Sequence, residues 1–422
     1  MKIKSITYLV IIILCFLNKI YSQSLKFIVD ELKLGMYYTS DTSNKKEVFY
    51  LNDKLKKINN EKLTDGTIFY GDYANVRKGN KYGFMDKNGI VTLFPNYTNV
   101  VWTNSLLGVA LKDNKIGYID RKGNVKIPFK YDLGTFFYDN QTVVREGLKY
   151  FLLNNFGDSI LSSENIIFPP EGNSLIPFVS DKGQGMISKD KKIVIEPIYR
   201  NLINIGGEFI KATNSSKSLI GILNTKGETV IPFDYDEIKI ANLNDFFPAK
   251  KNGKWGFINI KNETIIEFLF DEAFFFSEDL AAVVIGKKTG FINKKGKIII
   301  EPKFDFSWNF GINYSFKNGI SAVLLNGKWG FANKKGELVI QPIYDYVSCF
   351  LNKNAIVGIN KKYGIISDKG AIIIPLDNDK IHRSENGIFK VVKGMDKFPE
   401  DNAMENIKDV LLLQTLTYLF KN

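Results

Sequence analysis

Few residues of this 422-residue chain are arranged in a way that could support catalysis. The sequence has one histidine, His382, which excludes a site with several histidine ligands and argues against a serine–histidine triad. It contains no phosphate-binding glycine loop and no paired-cysteine metal motif. We therefore expect His382 to be an ordinary surface residue, and we expect no metal site and no cofactor.

Carboxylates are the remaining candidates, because glycoside hydrolases use two of them, separated by about 5–10 Å. Glu263, Glu267, Glu278 and Asp279 lie near one another in the chain, but no spacing singles out a pair. A glycan-directed hydrolase with a carboxylate pair is therefore the alternative functional hypothesis. Other aspartates recur once in every 34 residues or so, as in Tyr344-Asp345. Calcium needs several converging oxygens, so we interpret these aspartates as turn-forming residues.

The chain is organised by a short phrase that recurs from about residue 71 to residue 375. It reads Asn-Gly-Lys-Trp-Gly-Phe-Ile-Asn at residues 252–259 and returns almost unchanged at 326–333. One glycine of this phrase, or Phe151 in its place, marks nine copies at intervals of 34 to 40 residues. The marking residues are Gly83, Gly117, Phe151, Gly185, Gly221, Gly256, Gly290, Gly330 and Gly364.

Each copy has the pattern of antiparallel strands joined by tight turns. A second glycine lies six residues after the first and supplies the positive φ of a bulged turn, with Lys191 and Asn262 replacing it in two copies. A proline follows and is predicted to end the third strand, since it cannot donate to the ladder. The first glycine is expected to leave room for an aromatic ring of a neighbouring strand. Each copy is therefore predicted to be a three-stranded antiparallel meander.

These repeats predict an all-β fold of tandem antiparallel β-meander repeats, stacked in an open curved or superhelical array around a shared core. A closed β-propeller is the alternative, although propellers usually have about four to eight blades of four strands. The longest interval, before Gly330, holds an insertion within residues 308–318 that is predicted to protrude as a binding loop.

The two ends of the chain differ from the array. Residues 1–22 have the charged start and short apolar core of a signal peptide, with cleavage predicted between Ser22 and Gln23. Residues 23–70 are predicted to cap the array at 71–380, and residues 381–422 to form a second cap with a helix from 402 to 420. The mature protein is therefore expected to be exported, to a periplasm, a cell surface or the medium, and not to be an integral membrane protein.

The formal net charge of +12 is mild for this length and does not predict nucleic-acid binding. Lysines cluster at predicted hairpin tips, as solvated side chains or, in the minority interpretation, as a stripe that binds an anionic polymer. Most aromatic residues lie at strand positions and are expected in the core. Trp102 and Trp308 lie outside the repeated tryptophan position, so they are the candidate binding-surface residues.

The phrase containing Trp255-Gly256 and Trp329-Gly330 resembles the WG-repeat family, with aromatic variants at Tyr82-Gly83 and Tyr363-Gly364. The resemblance covers about residues 70–380. It implies a β-rich repeat protein, often exported, and it brings no catalytic residues. We therefore expect a non-catalytic scaffold that binds an as yet unidentified protein or cell-surface polymer.

Overall fold

The computed structural model describes residues 47–69, 71–102, 105–170, 175–240, 246–307, 314–384 and 387–394. These residues form 37 strands in eight antiparallel sheets, and no helix occurs among them. No segment in these ranges is therefore a helix long and apolar enough to cross a bilayer. The predicted signal peptide and the predicted C-terminal helix lie outside the described ranges.

The strands divide between two compact units, of which unit 1 includes residues 61–164 and unit 2 includes residues 45–60 and 165–395. The first strand, in unit 2, is β1 (Glu47–Leu51). Unit 1 holds three four-stranded sheets whose strands follow chain order: β2 (Asp65–Gly66), β3 (Tyr73–Lys78), β4 (Lys81–Asp86) and β5 (Val91–Phe94); β6 (Asn99–Val101), β7 (Gly108–Lys112), β8 (Lys115–Ile119) and β9 (Val125–Tyr131); β10 (Leu133–Gly134), β11 (Gln141–Glu146), β12 (Lys149–Asn154) and β13 (Ser159–Ser163).

Unit 2 continues the same succession in sheets of four and seven strands. The first of these sheets contains β14 (Ile166–Ile167), β15 (Ile176–Ser180), β16 (Gly183–Ile187), β17 (Ile193–Asn204), β18 (Phe209–Asn214), β19 (Ile220–Asn224) and β20 (Thr229–Tyr235). The next contains β21 (Glu237–Ile238), β22 (Phe247–Lys251), β23 (Lys254–Ile258) and β24 (Thr264–Phe270). The third contains β25 (Glu272–Ala273), β26 (Leu280–Ile285), β27 (Lys288–Asn293), β28 (Ile298–Asp305), β29 (Ile320–Leu325), β30 (Lys328–Asn333) and β31 (Leu338–Tyr344). The last strands are β32 (Tyr346–Val347), β33 (Asn354–Ile359), β34 (Lys362–Ser367), β35 (Ile372–Asn378), β36 (Lys380–Arg383) and β37 (Phe389–Lys393).

The prediction of tandem antiparallel meanders is confirmed, and most repeats have one more strand than was predicted. All nine marking residues lie on a strand that is paired on both sides. The additional strand is short. In the repeat of Gly290 it is β25, where Glu272 pairs with Val284 and Ala273 with Val283. A strand of two residues is too short to show the alternation of apolar and polar residues, so the sequence pattern did not predict it.

The proline of the motif lies inside the outer strand in six of seven copies, contrary to the prediction, and only Pro95 follows the end of its strand. Phe331 of β30 pairs with Ile340 of β31, but three residues of β31 then lie opposite the single residue Gly330. The middle one is Pro342. At this bulge the ladder is interrupted, so the missing N–H of proline costs no hydrogen bond.

The bulge also explains the glycine that follows tryptophan. A Cβ on Gly330 would lie 2.6 Å from the carbonyl oxygen of Ile340 and 2.7 Å from the nitrogen of Pro342. The strand backbone therefore requires glycine here. The predicted contact with an aromatic ring is present, together with a strand carbonyl, at three other copies: Gly117, Gly185 and Gly221.

Neighbouring repeats share their apolar cores, as predicted. Trp255, Phe257 and Ile266 belong to one repeat and form a single buried cluster with Val283 and Ile292 of the next. Side chains on both faces of such a sheet are therefore removed from water by adjacent repeats.

The described ends of the chain meet in one sheet of unit 2. β1 pairs antiparallel with β37, which pairs with β36. Residues 389–393 thus add a strand. Residues 47–51 pair along their whole length with this late strand, and Leu51 also forms an isolated antiparallel bridge with Lys57. β1 and β37 each cover an edge that the other would otherwise leave open.

Candidate functional site

In five repeats the lysine at the first hairpin tip is held by the recurring aspartate. Lys254 Nζ lies 2.5 Å from Asp271 Oδ1, and the backbone N–H of Gly286 donates to Asp271 Oδ2 at 2.8 Å. The Lys254 ammonium and then this amide lower the pKa of Asp271. The turn-forming role predicted for the aspartates is therefore confirmed. The other pairs with the same spacing of 17 residues are Lys115–Asp132, Lys288–Asp305, Lys328–Asp345 and Lys362–Asp379.

The prediction that Trp102 belongs to a binding surface is wrong. Its side chain is completely buried, with ring centroids 5.1 Å from Phe84 and 5.8 Å from Phe94. A Cβ on Gly108 would overlap the Trp102 ring. The second candidate, Trp308, lies outside the described residues.

The insertion before Gly330 is also more buried than its length suggested. From residue 314 onward it packs inward, because Tyr314 and Phe316 are both buried in the core. The Tyr314 hydroxyl donates to the backbone oxygen of Ser307 at 2.8 Å. The described part of the insertion therefore does not protrude as a binding loop.

The four candidate acids are exposed and are not brought together by hydrogen bonds. Asn259 Nδ2 donates to Glu263 at 2.6 Å within a turn, and the backbone N–H of Gly319 donates to Glu278 at 3.0 Å. Asp279 lies 3.7 Å from an ammonium group of a neighbouring turn, and Glu267 is on an outer strand. No cluster of three or more histidine, cysteine, aspartate or glutamate side chains suited to a metal ion occurs in the ranges described above.

A second group of lysines has no aspartate. They lie at the turn between the middle and outer strands, are exposed, and have no ion pair within the described structure. Their backbone N–H groups donate to the residue two positions earlier, as Lys295 does to Asn293 Oδ1 at 3.0 Å. The turn is thus fixed in the same form in each repeat. We call this set the turn lysines: Lys226, Lys261, Lys295, Lys335 and Lys369.

An aliphatic residue follows four positions later on the outer strand of each of these repeats, and it is exposed in four of the five. Ile265, Ile299, Val339 and Ile373 retain 41–45% of their side-chain exposure. With Val194 and Val230, which are half-buried, they form the aliphatic row of six successive repeats in unit 2. A β-strand side facing water usually carries polar residues. The sequence signal for this row was the β-branched residue nine positions after the marking glycine.

Contacts between repeats make this surface continuous. The turn glycine of one repeat packs on the outer strand of the preceding repeat, since a Cβ on Gly296 would lie 3.2 Å from Ile266 and one on Gly370 would lie 3.4 Å from Ile340. Lys303 Nζ also donates across the junction to the carbonyl oxygen of Gly336 at 2.9 Å. The turn lysines of one repeat therefore lie next to the outer strand of its neighbour.

Solved structures with a similar arrangement of strands include three proteins of different kinds. A eukaryotic initiation factor matches over 82% of this chain and 98% of its own, with 9% identity and a TM-score of 0.45. A dihydro-heme d1 dehydrogenase, NirN, covers 60% of this chain and 68% of its own, with 12% identity and a TM-score of 0.34. PorZ of Porphyromonas gingivalis, a surface component of the type-IX secretion system, covers 82% of this chain and 57% of its own, with 11% identity and a TM-score of 0.28.

No curated protein sequence matches this chain. The family model of the WG containing repeat matches five segments, at residues 116–150, 220–255, 255–288, 290–329 and 329–363. These segments contain Trp255-Gly256 and Trp329-Gly330, whose tryptophans are buried and whose glycines face the bulged strand. The protein is therefore a member of the WG-repeat family.

Proposed function

We propose that this protein is an exported, non-catalytic repeat scaffold that binds a protein or a cell-surface polymer along the outer strands of unit 2. The observation that carries the proposal is the aliphatic row, whose members four successive repeats expose at one equivalent position. Extended apolar surface on a soluble protein is typical of an interaction site. A row that follows the repeat suits an elongated partner.

The polar residues of the repeats support a scaffold rather than an enzyme. The recurring aspartates bind a lysine from the hairpin of one repeat and a backbone amide from the hairpin of the next, as Asp345 does with Lys328 and the N–H of Asn360. The acids weighed for hydrolysis are exposed. Glu263 bonds within its own turn, and Glu278 accepts the N–H of Gly319 from the following repeat. These groups have structural roles that account for their repetition. Export is part of the proposal because of the N-terminal signal pattern.

The test is retention of cell-envelope components by the mature protein immobilised on a resin. The double variant Ile299→Ser and Val339→Ser removes the centre of the aliphatic row, and Ile90→Ser in unit 1, whose side chain is 62% exposed, is the control. We expect the wild type and the control to retain one component that the double variant loses. Equal retention by all three proteins would exclude this surface.

A further inference from the structure

The surface proposed above has charge on both sides of its aliphatic row. The turn lysines lie on one side. On the other side, two residues further along the outer strands, Glu196, Glu267 and Glu301 are exposed and have no hydrogen bond or ion pair within the described structure. Ile265 and Ile299 lie at register shifts of their outer strands, and Glu267 and Glu301 follow two residues later, where the next shift begins. In these two repeats a turn lysine, an exposed isoleucine and an unpaired glutamate therefore follow one another along the chain.

The turn lysines are available to a ligand. The nearest acids in sequence are glutamates two positions after three of them, such as Glu263 after Lys261 and Glu337 after Lys335. These glutamates accept hydrogen bonds from asparagine side chains of their own turns, at 2.6 Å for Glu263 and 2.8 Å for Glu337. The ammonium groups of the turn lysines do not bind these glutamates. The turn lysines therefore remain free to bind a carboxylate of another molecule.

The apolar part of the surface favours a polypeptide over a sugar polymer. Valine and isoleucine offer aliphatic contacts, whereas a glycan platform would present flat aromatic faces. No exposed aromatic ring lies in the aliphatic row. Aliphatic side chains of a second polypeptide can pack on such residues as they do across strands.

We propose that the partner is an acidic, aliphatic polypeptide segment. Its aliphatic side chains lie on the aliphatic row and its carboxylates face the turn lysines, while the unpaired glutamates repel it in the reversed orientation. This inference rests on the proposed function and names the class of partner. In this inference the turn lysines bind the partner, and the aspartate-bound lysines of the first hairpin tips stabilise the fold.

The test measures binding of defined probes to the full mature protein. The probes are a peptide that alternates glutamate and valine, one that alternates lysine and valine, a glutamate homopolymer and polygalacturonate. The variants are Lys295→Glu with Lys335→Glu, and Ile299→Ser with Val339→Ser. The control combines Lys122→Glu and Ile90→Ser in unit 1. Lys122 is exposed and occupies the same turn position, with its N–H bonded to Asp120 at 2.9 Å.

We expect the glutamate–valine peptide to bind most tightly, about tenfold more weakly to either double variant, and unchanged to the control. Its affinity should fall between about 50 and 300 mM salt, because the lysines are exposed. Binding of no probe would overturn the inference. So would equal binding of the lysine–valine peptide, the homopolymer or polygalacturonate. If the envelope component is still retained through the aliphatic row while the peptide fails, the class of partner is wrong and the scaffold proposal stands.

Discussion

At the residue scale, the two glycines of Asn-Gly-Lys-Trp-Gly are required for different physical reasons. Gly327 lies in the hairpin turn with φ +74°, and a Cβ there would meet nothing within 4 Å. Gly330 lies in a strand, where a Cβ would contact the backbone of the bulged outer strand. Substitution of the first costs backbone strain in the left-handed region, and substitution of the second separates two paired strands.

We therefore expect substitution by alanine at these two positions to cause different losses of stability. Gly330→Ala should lower the free energy of unfolding by about 3 kcal/mol, because the clash involves backbone that cannot rotate away. Gly327→Ala should cost about 1 kcal/mol. Urea unfolding followed by tryptophan fluorescence measures both. Equal losses would mean that the bulge moves aside easily.

The aspartate–lysine pairs predict a dependence of stability on pH. Lys328 and then the Asn360 amide hold the pKa of Asp345 below its ordinary value, and lysines likewise lower the pKa of Asp132, Asp271 and Asp305. A carboxyl whose pKa is depressed by folding stabilises the protein above its ordinary pKa. This stabilisation is lost as the pH falls through the folded pKa. The melting temperature should therefore drop below about pH 4.

Asp345→Asn isolates one pair of this set. At pH 7 it should cost about 1 kcal/mol, since the pair is exposed but also holds a backbone amide. At pH 3 the loss should be smaller, because the unfolded wild-type chain then binds a proton at this carboxyl and part of the stabilisation is already lost. Thermal unfolding across this range measures the difference. Glu267→Gln, which removes an exposed carboxylate without a described partner, should change neither value.

The strand pattern was predictable where residues repeat their local signals. The turn glycines have φ between +76° and +89°, and Lys191 and Asn262 adopt the same region, as predicted. The burial of Trp102 was not predictable from its spacing, since it depends on two rings of the preceding strands. The aliphatic row was missed for a related reason. Strand propensity and core packing both favour β-branched residues, so exposure cannot be deduced from residue type.

At the element scale, the pairing of β1 with β37 joins residues more than 330 positions apart in the chain. Tyr50 of β1 and Val391 of β37 are fully buried, so this pairing contributes core as well as hydrogen bonds. The strand pairings in all the other sheets are local, because each of those sheets is built from strands that are consecutive in the chain. Forming β1–β37 therefore has the largest loop-closure cost in unit 2.

Deletion of residues 1–51 should expose the edge of β37 and leave local hairpins folded. We expect the β37 amides that face β1, such as that of Val391, to exchange with solvent faster, because their partners in β1 are gone. The amides of β11 in unit 1 should keep their protection, since β11 pairs only with β10 and β12. Hydrogen exchange with mass spectrometry measures both segments. Unchanged exchange in β37 would show that β36 alone maintains the strand.

At the scale of the whole molecule, one group of lysines is bound to aspartates and another group has no ion pair within the described residues. The formal net charge is +12, yet five lysines of the first hairpin tips are bound to aspartates. The turn lysines of unit 2 have no such partner in the described ranges. Part of the cationic character available to partners is therefore located at one repeated turn.

The N-terminal segment predicts where this surface operates. Cleavage between Ser22 and Gln23 would remove three lysines and lower the net charge to +9. We expect the protein recovered outside the cytoplasm to begin at Gln23, which its intact mass will show. Leu14→Arg should block export, because a charge interrupts an apolar core too short to tolerate it. Lys4→Arg keeps the charged start and should be exported normally. An exported chain that retains Met1 would mean that the segment anchors the protein, and the aliphatic row would then face partners close to the membrane.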